Sequence, residues 1–193
     1  MPSPESPCPL DPGHRRILLG IARASIRHGL AHGCPVAVDL GLLPPAMAAE
    51  GATFTTLMAG GRLRGCAGFI EATRPLAEDA AASAFAAAFG DSRFPPVTGA
   101  ELDGLDLHLS LLTPPERILF SAEADLLAQL EPGRDGLLIR SGRARGAFLP
   151  EVWEDLPEPE AFLRHLKRKA GLPGNVETTS LEVYRFRTLS IGG

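Results

Sequence analysis

Strict alternation of apolar and polar side chains over Leu105 to Leu111 predicts a strand with one apolar face. The β-branched and aromatic run from Thr53 to Met58 predicts another, because such residues pack well on a pleated surface. Gly60-Gly61 then marks a turn, so a hairpin with a returning strand is expected there. Similar signals predict the remaining strands: Arg62 to Ile70, Gly136 to Arg140, Ala147 to Leu149 and Leu181 to Phe186.

Apolar residues at helical spacing predict helices between these strands. Asp11-Pro12 supplies an N-cap and a proline at the first helical position, and Ile17, Leu18 and Ile21 follow on one face. The predicted helices are about Pro12 to Ala31, Pro75 to Phe89, Glu123 to Leu130 and Glu158 to Ala170. Hairpins dominate and strand–helix–strand alternation is incomplete. We therefore predict an α+β fold, with an antiparallel or mixed β-sheet and flanking helices.

Length and composition add domain boundaries and limits on function. Residues 1–11 contain four prolines and predict a flexible tail, which leaves 12–193 as a single domain. A net charge of −4 disfavours non-specific nucleic-acid binding. Three irregularly spaced cysteines indicate reduced thiols. No signal peptide and no membrane span are recognisable, so we expect a cytoplasmic protein.

The segment Leu63-Arg64-Gly65-Cys66-Ala67-Gly68 is the first candidate site. In a regular strand Arg62, Arg64 and Cys66 share one face and Leu63 and Ala67 the other. Gly65 and Gly68 then allow close approach of a ligand or of another backbone, or mark a bulge. A neighbouring guanidinium favours a thiolate. The alternative is a small buried cysteine in a tight strand.

The loop from Asp91 to Pro96 is the second candidate, because its two prolines stiffen a segment that presents Asp91, Arg93 and Phe94. The alternative is that Asp91 and Arg93 pair locally or cap the preceding helix. Glu101 is a candidate acid–base group, although it looks more like part of a turn. His28, His32 and Cys34 form a weak metal-like cluster at a fraying helix end. We predict neither a metal nor a cofactor, since no phosphate loop or dinucleotide fingerprint is present.

Several segments, in this order, resemble the AMME syndrome candidate-protein family (the AMMECR domain), whose bacterial members are also called protein A of the AmmeMemoRadiSam system. The resemblance covers about residues 14–190. Ala67 stands where the family usually has isoleucine. The matching segments begin at Thr53, Gly61, Asp91, Leu111, Asp135, Phe148 and Lys169.

The resemblance implies an α+β fold with a smaller subdomain, and partners in the form of a Memo-like protein related to dioxygenases and a radical S-adenosylmethionine (SAM) protein. It implies a functional patch of Arg64, Gly65, Cys66, Asp91, Arg93 and Phe94, with Glu101 as a further candidate. Our first hypothesis is therefore an accessory or substrate-binding component of that system. The second is a thiol-dependent enzyme in which Arg64 activates Cys66. The third is an RNA-binding module. It is suggested by Arg62, Arg64, Arg143 and Arg145, and by the basic run late in the helix Glu158 to Ala170, which consists of Arg164, Lys167, Arg168 and Lys169.

Overall fold

The structure is a computed structural model that describes residues 11–173 and 175–192, so the tail predicted over 1–11 lies almost wholly outside the described residues. These residues form two compact units. Unit 1 contains the chain up to Thr113 together with the segment from Leu189, and unit 2 runs from Pro114 to Thr188. The prediction that 12–193 is a single domain stays a prediction.

Five α-helices occur among the described residues, and the predicted N-cap is confirmed. The side chain of Asp11 accepts a hydrogen bond from the N–H of His14 at 2.9 Å, which satisfies a backbone donor that a helix start leaves free. Gly33 ends the first helix at φ 70°, in the left-handed region that favours glycine. The helices are α1 (Pro12–His32), α2 (Pro45–Ala48), α3 (Leu76–Phe89), α4 (Glu123–Ala128) and α5 (Pro159–Lys169).

Eight strands form two four-stranded sheets, and the α+β class is confirmed. Unit 1 has the order β2-β1-β3-β8 and unit 2 the order β4-β7-β5-β6. The predicted strands are all present with shifted ends, while the three-residue β4 and the terminal β8 were missed. The strands are β1 (Ala52–Ala59), β2 (Arg62–Gly68), β3 (Leu105–Leu112), β4 (Glu116–Ile118), β5 (Gly136–Ser141), β6 (Ala144–Phe148), β7 (Glu182–Phe186) and β8 (Thr188–Gly192).

In unit 1 the alanine-rich face of α3 packs on the sheet and against α1. Leu57 of β1 and Leu107 and Leu109 of β3 are fully or almost fully buried in this core. Because alanine side chains are short, the backbone of α3 lies close to the strands. The buried alanines of α3 in this core are Ala77, Ala80, Ala84, Ala87 and Ala88.

A buried polar network also joins α3 to β1. Oδ2 of Asp79 accepts hydrogen bonds from the N–H and the hydroxyl of Thr53, at 2.7 and 2.8 Å, and Ser83 bonds the hydroxyls of Thr53 and Thr55. Oδ1 makes no hydrogen bond but lies 3.4 Å from Nε of Arg74. Burial raises the pKa of Asp79, against the bonds from Thr53 that lower it. The network therefore fixes the position of β1 on the helix.

In unit 2 the core lies between the sheet and α5. The rings of Trp153 and Phe162 stack with centroids 3.8 Å apart, and Trp153 donates its indole N–H to the carbonyl of Asp135 at 2.7 Å. Leu163 and Leu166 of α5 complete this buried core.

Candidate functional site

Arg64, a predicted site residue, lies at a β-bulge. Leu57 of β1 lies opposite Gly65, but the next residue, Met58, lies opposite Leu63. Arg64 therefore has no position opposite it on β1. A bulge inserts one extra residue and shifts the alternation of side chains by one.

The bulge corrects the predicted faces of β2. Regular alternation would group Arg62, Arg64 and Cys66, with Leu63 and Ala67 opposite. In the observed register Leu63 shares the face of Cys66, because the residues opposite them on β1 are two positions apart. The grouping predicted for a regular strand is wrong for this reason. Ala67 does lie on the face opposite Cys66, as predicted, and packs against the core beneath the sheet.

Gly65 and Gly68 give room to protein backbone. A Cβ on Gly65 would overlap the carbonyl oxygen of Ala87, in the last part of α3. A Cβ on Gly68 would overlap the carbonyl oxygen of Thr53 and the Cα of Phe54 on the neighbouring strand. Both glycines therefore allow close approach of another backbone, the second of the three alternatives, and the bulge at Arg64 beside Gly65 is the third. Their role as ligand-binding positions stays a prediction.

Asp91 joins the loop after α3 to strand β2. Its Oδ2 accepts a hydrogen bond from the N–H of Cys66 at 2.9 Å. The same carboxylate accepts bonds from the N–H, Nε and Nη2 of Arg93, at 3.1, 2.9 and 2.7 Å. These bonds, led by the one from the Arg93 side chain, hold the pKa of Asp91 well below its usual range. Only 6% of the Asp91 side chain is exposed, so a backbone donor at the edge of the sheet is satisfied by a shielded charge.

Arg64 and Glu101 fasten the other end of this loop, which we call the 91–101 loop. Nε and Nη2 of Arg64 donate to the two carboxylate oxygens of Glu101, at 2.6 and 3.2 Å. Nη1 and Nη2 also donate to the carbonyls of Pro95 and Pro96. All three guanidinium nitrogens are therefore engaged, and 13% of the side chain is exposed. The bonds from Arg64, followed by those from Thr98, lower the pKa of Glu101 to about 2.

The Cys66 side chain is half-buried, and the hydroxyl of Thr56, directly opposite on β1, donates to Sγ at 3.5 Å. The guanidinium of Arg93 shares the carboxylate of Asp91 with the backbone N–H of Cys66, and its hydrogen bond to Asp91 raises the pKa of Arg93. Arg93 is 57% exposed, and its guanidinium carbon lies 5.5 Å from the ring centroid of Phe94. Arg64, which the sequence suggested as the activating cation, is engaged with Glu101 and the carbonyls of Pro95 and Pro96.

His108 lies beside this site, at one of the polar positions in the alternation that predicts β3. Thr56 pairs with Cys66 on one side and with His108 of β3 on the other. The three side chains therefore form a row across β2, β1 and β3, on the face away from α3. The alternation of β3 placed His108 on a polar face, but only the register reveals its neighbours.

The other candidate residues lie away from this row. The rings of His28 and His32 are 4.4 Å apart, and Nδ1 of His28 lies 2.9 Å from the carbonyl oxygen of Cys34. Across 11–173 and 175–192, no cluster of three or more His, Cys, Asp or Glu side chains is arranged to hold a metal ion. In the same residues no helix has the length and apolar character to cross a membrane.

Unit 2 contains a groove of about 910 Å³ between α5 and the segment around residues 175–179. Its wall includes Lys167, whose ammonium group donates to Glu123 at 2.9 Å and to the hydroxyl of Thr178 at 2.6 Å. Thr178 also donates to Glu123, and the bonds from Thr178 and Lys167 lower the pKa of that carboxyl. The charge of Lys167 is thus compensated within unit 2.

The arginines behind the RNA hypothesis do not form one surface in unit 2. Arg145 lies opposite Arg140 on the sheet. Its neighbour Gly146 packs against Ala170, just after α5, so Arg145 faces away from that helix. The basic run of α5 and Arg145 therefore lie on opposite sides of this sheet. The RNA hypothesis stays a prediction.

Comparison with known proteins identifies the relatives of this chain. A family model described as AMMECR1 matches residues 19–191, which span both units. A protein of Methanothermobacter thermautotrophicus is 38% identical over 181 residues, covering 93% of this chain and 94% of the relative. A protein of Thermotoga maritima is 38% identical over 137 residues, covering 70% and 74%. The crystal structure of an uncharacterised protein from Pyrococcus horikoshii matches with a TM-score of 0.81 at 33% identity, covering 90% of this chain and 88% of that one.

Proposed function

The chain belongs to the AMMECR1 family, and we propose that it is an accessory or substrate-binding protein that acts with a Memo-like protein and a radical SAM protein. Its working site is the patch where the 91–101 loop meets β2. The observation that carries this proposal is that the charged residues there have different partners. Arg64 and Glu101 bind each other and hold the loop, while the guanidinium of Arg93 and the backbone N–H of Cys66 both bind the carboxylate of Asp91.

Such a patch suits binding better than self-sufficient catalysis. Asp91 satisfies both the backbone of Cys66 and the guanidinium of Arg93, so these groups are held in place before any ligand arrives. Preorganisation lowers the entropy cost of binding. The bonds to Asp91 use Nε and Nη2 of Arg93, so Nη1 and the exposed 57% of the side chain are available to a partner or substrate. The proposed binding residues are therefore Cys66, Asp91, Arg93 and Phe94.

The proposal is tested by pull-down of purified Memo-like and radical SAM proteins from the same genome. The wild-type chain is expected to retain at least one of them, and Arg93→Gln is expected to weaken the association. Arg145→Gln, which removes an exposed arginine of unit 2, is the matched control. Failure of the wild-type chain to associate, with partner activity unaltered by its presence, contradicts the proposal.

A second candidate function is a thiol-dependent enzyme that uses Cys66. It is favoured by the 3.5 Å contact from the Thr56 hydroxyl to Sγ and by the guanidinium of Arg93, which shares the carboxylate of Asp91 with the Cys66 N–H. In this version the nearby cation is Arg93, because Arg64 is engaged with Glu101 and the proline carbonyls. Alkylation of Cys66 in the folded protein tests it, with Arg93→Gln expected to slow the reaction. A thiol that is inaccessible, or a Cys66→Ser variant with full activity in vivo, contradicts it.

A further inference from the structure

The groove of unit 2 has hydrogen-bond donors on one wall that lack an acceptor. This wall includes Arg164, His165 and Arg168 of α5. Arg164 is exposed and makes no hydrogen bond or ion pair with any residue that the structure describes. Nη2 of Arg168 lies 3.0 Å from Nδ1 of His165, and Arg168 has no carboxylate partner within the same part of the chain. Most N–H groups of the two guanidinium groups are therefore available to a ligand.

The contact between Arg168 and His165 also fixes the proton of the imidazole. A guanidinium group can only donate hydrogen bonds, so Nδ1 of His165 is the acceptor. The proton of the neutral ring is then on Nε2, which becomes a further donor. His165 is half-buried and lines the groove. Three neighbouring side chains of one helix thus offer donors there.

The fold does not account for the pair of arginines. Arg164 and Arg168 are four residues apart on α5, and like charges at this spacing repel each other. The helix dipole favours Arg168, which lies in the last turn, but not Arg164 in the middle of the helix. Glu160, one turn before Arg164, forms no ion pair with it in 11–173 and 175–192. An anion bound between the two guanidinium groups would relieve their repulsion.

The rest of the groove limits the kind of anion that fits. Leu172 and Val176 line it and pack against the core of unit 2, so they offer apolar surface. A volume of about 910 Å³ is that of a small-molecule site. The carboxylates of Glu160 and Glu177 also lie on its wall and would repel a chain of phosphates. The groove therefore suits one anionic group attached to an apolar body.

We propose that this groove binds a small-molecule phosphate monoester. Its phosphate lies between Arg164 and Arg168, and its organic group lies against Leu172 and Val176. A planar guanidinium group matches two phosphate oxygens at once, and Nε2 of His165 donates to the third terminal oxygen. A carboxylate has two oxygens and leaves one of the three donors unused. All of these residues belong to unit 2, so the inference does not depend on the function proposed for the patch at β2.

The test is calorimetric titration of the full chain with phenyl phosphate. Wild type is expected to bind it saturably, and Arg164→Gln and Arg168→Gln are each expected to weaken binding about tenfold, since each removes a charge-assisted hydrogen bond. Arg145→Gln, which removes an arginine that faces away from α5, is the matched control and should bind like wild type. Arg164 has no partner to lose, so the thermal midpoint of Arg164→Gln should equal that of wild type.

Two fragments of the probe and an RNA separate the phosphate ester from other ligands. Inorganic phosphate is expected to bind more weakly than phenyl phosphate, and phenol is expected not to bind. No saturable binding of phenyl phosphate, equal affinity of the Arg164→Gln variant, or phenol binding as tightly as its phosphate ester would overturn the proposal. Binding of single-stranded oligouridylate that Arg164→Gln abolishes, in preference to phenyl phosphate, would overturn it too, because the arginines would then serve a nucleic acid.

Discussion

Replacing Asp91 with alanine removes the one side chain that binds both the backbone of β2 and the head group of Arg93. Four hydrogen bonds are lost, one from Cys66 and three from Arg93. The ion pair with Arg93 contributes at most about 1 kcal/mol, because that guanidinium is largely exposed. The N–H of Cys66 is left without its acceptor, which costs about 1–3 kcal/mol. We therefore expect a loss of about 1–4 kcal/mol in the free energy of unfolding.

Urea unfolding measures the total loss, and hydrogen exchange at the Cys66 amide locates it. Asp91→Ala is expected to lower the protection of that amide, whereas Asp91→Asn keeps an acceptor oxygen and is expected to cost about half as much. Asp103→Ala, at an exposed acid, is the control and should change stability by less than about 0.5 kcal/mol.

The pH dependence of this loss has a defined sign. The pKa of Asp91 is depressed in the folded protein, so its contribution is complete above the unfolded value of about 3.8 and disappears only as the pH falls through the folded value. The cost of Asp91→Ala should therefore be the same at pH 7 and pH 5. An alanine variant as stable as wild type, with unchanged protection of the Cys66 amide, would refute the reasoning.

Three further predictions concern the packing and charge around the site. Gly65→Ala should cost about 1–3 kcal/mol in urea unfolding because its Cβ meets the backbone of α3, while Gly104→Ala, with nothing within 4 Å, should cost far less. Arg64→Lys should lower the thermal midpoint and raise the protease sensitivity of the 91–101 loop, because an ammonium group cannot reproduce the two-oxygen bond to Glu101; equal cleavage rates would count against this. Burial raises the pKa of Asp79, so the folded state binds more protons above about pH 3.8 and stability contributed by the protonated group is lost as the pH rises through the folded value. The stability of Asp79→Asn relative to wild type should therefore increase with pH, and a difference that is constant or falls would contradict this.

Local patterns were sufficient to predict most elements of the fold. The alternation of Leu105 to Leu111 and the cap at Asp11 each report on neighbouring residues, and the structure confirms both. β4 and β8 were missed, because a strand of three residues carries too little periodicity and β8 ends in glycine. The division into two sheets depends on pairing between distant segments, about which local patterns carry no information.

The sequence could bring together the segments of the candidate site but not the contacts that each residue makes; the assignment of these residues to a functional site stays a prediction. The segments around Cys66 and Asp91 do meet, as the resemblance implied, through the bond from the Cys66 N–H. The glycines allowed a bulge as one alternative, and the bulge occurs at Arg64, beside Gly65; its position and the resulting faces follow only from the pairing with β1. The path of the loop shows that Arg64 binds Glu101 while Arg93 stays exposed. The register of β1 and β3 shows that His108 lies beside Thr56. Neither could be predicted from local patterns.

The central claim is that strand β2 at Cys66 and the guanidinium of Arg93, joined through Asp91, form a surface for partner proteins. Equilibrium binding tests it most directly. The affinity of the wild-type chain for the Memo-like and radical SAM proteins is compared with that of a Cys66→Ser/Arg93→Gln variant and of Cys34→Ser, which removes an exposed cysteine elsewhere. The account predicts that wild type and Cys34→Ser bind alike and that the double variant binds at least about tenfold more weakly, which corresponds to about 1.4 kcal/mol. Equal affinity of the double variant, or no binding by the wild-type chain, would contradict it.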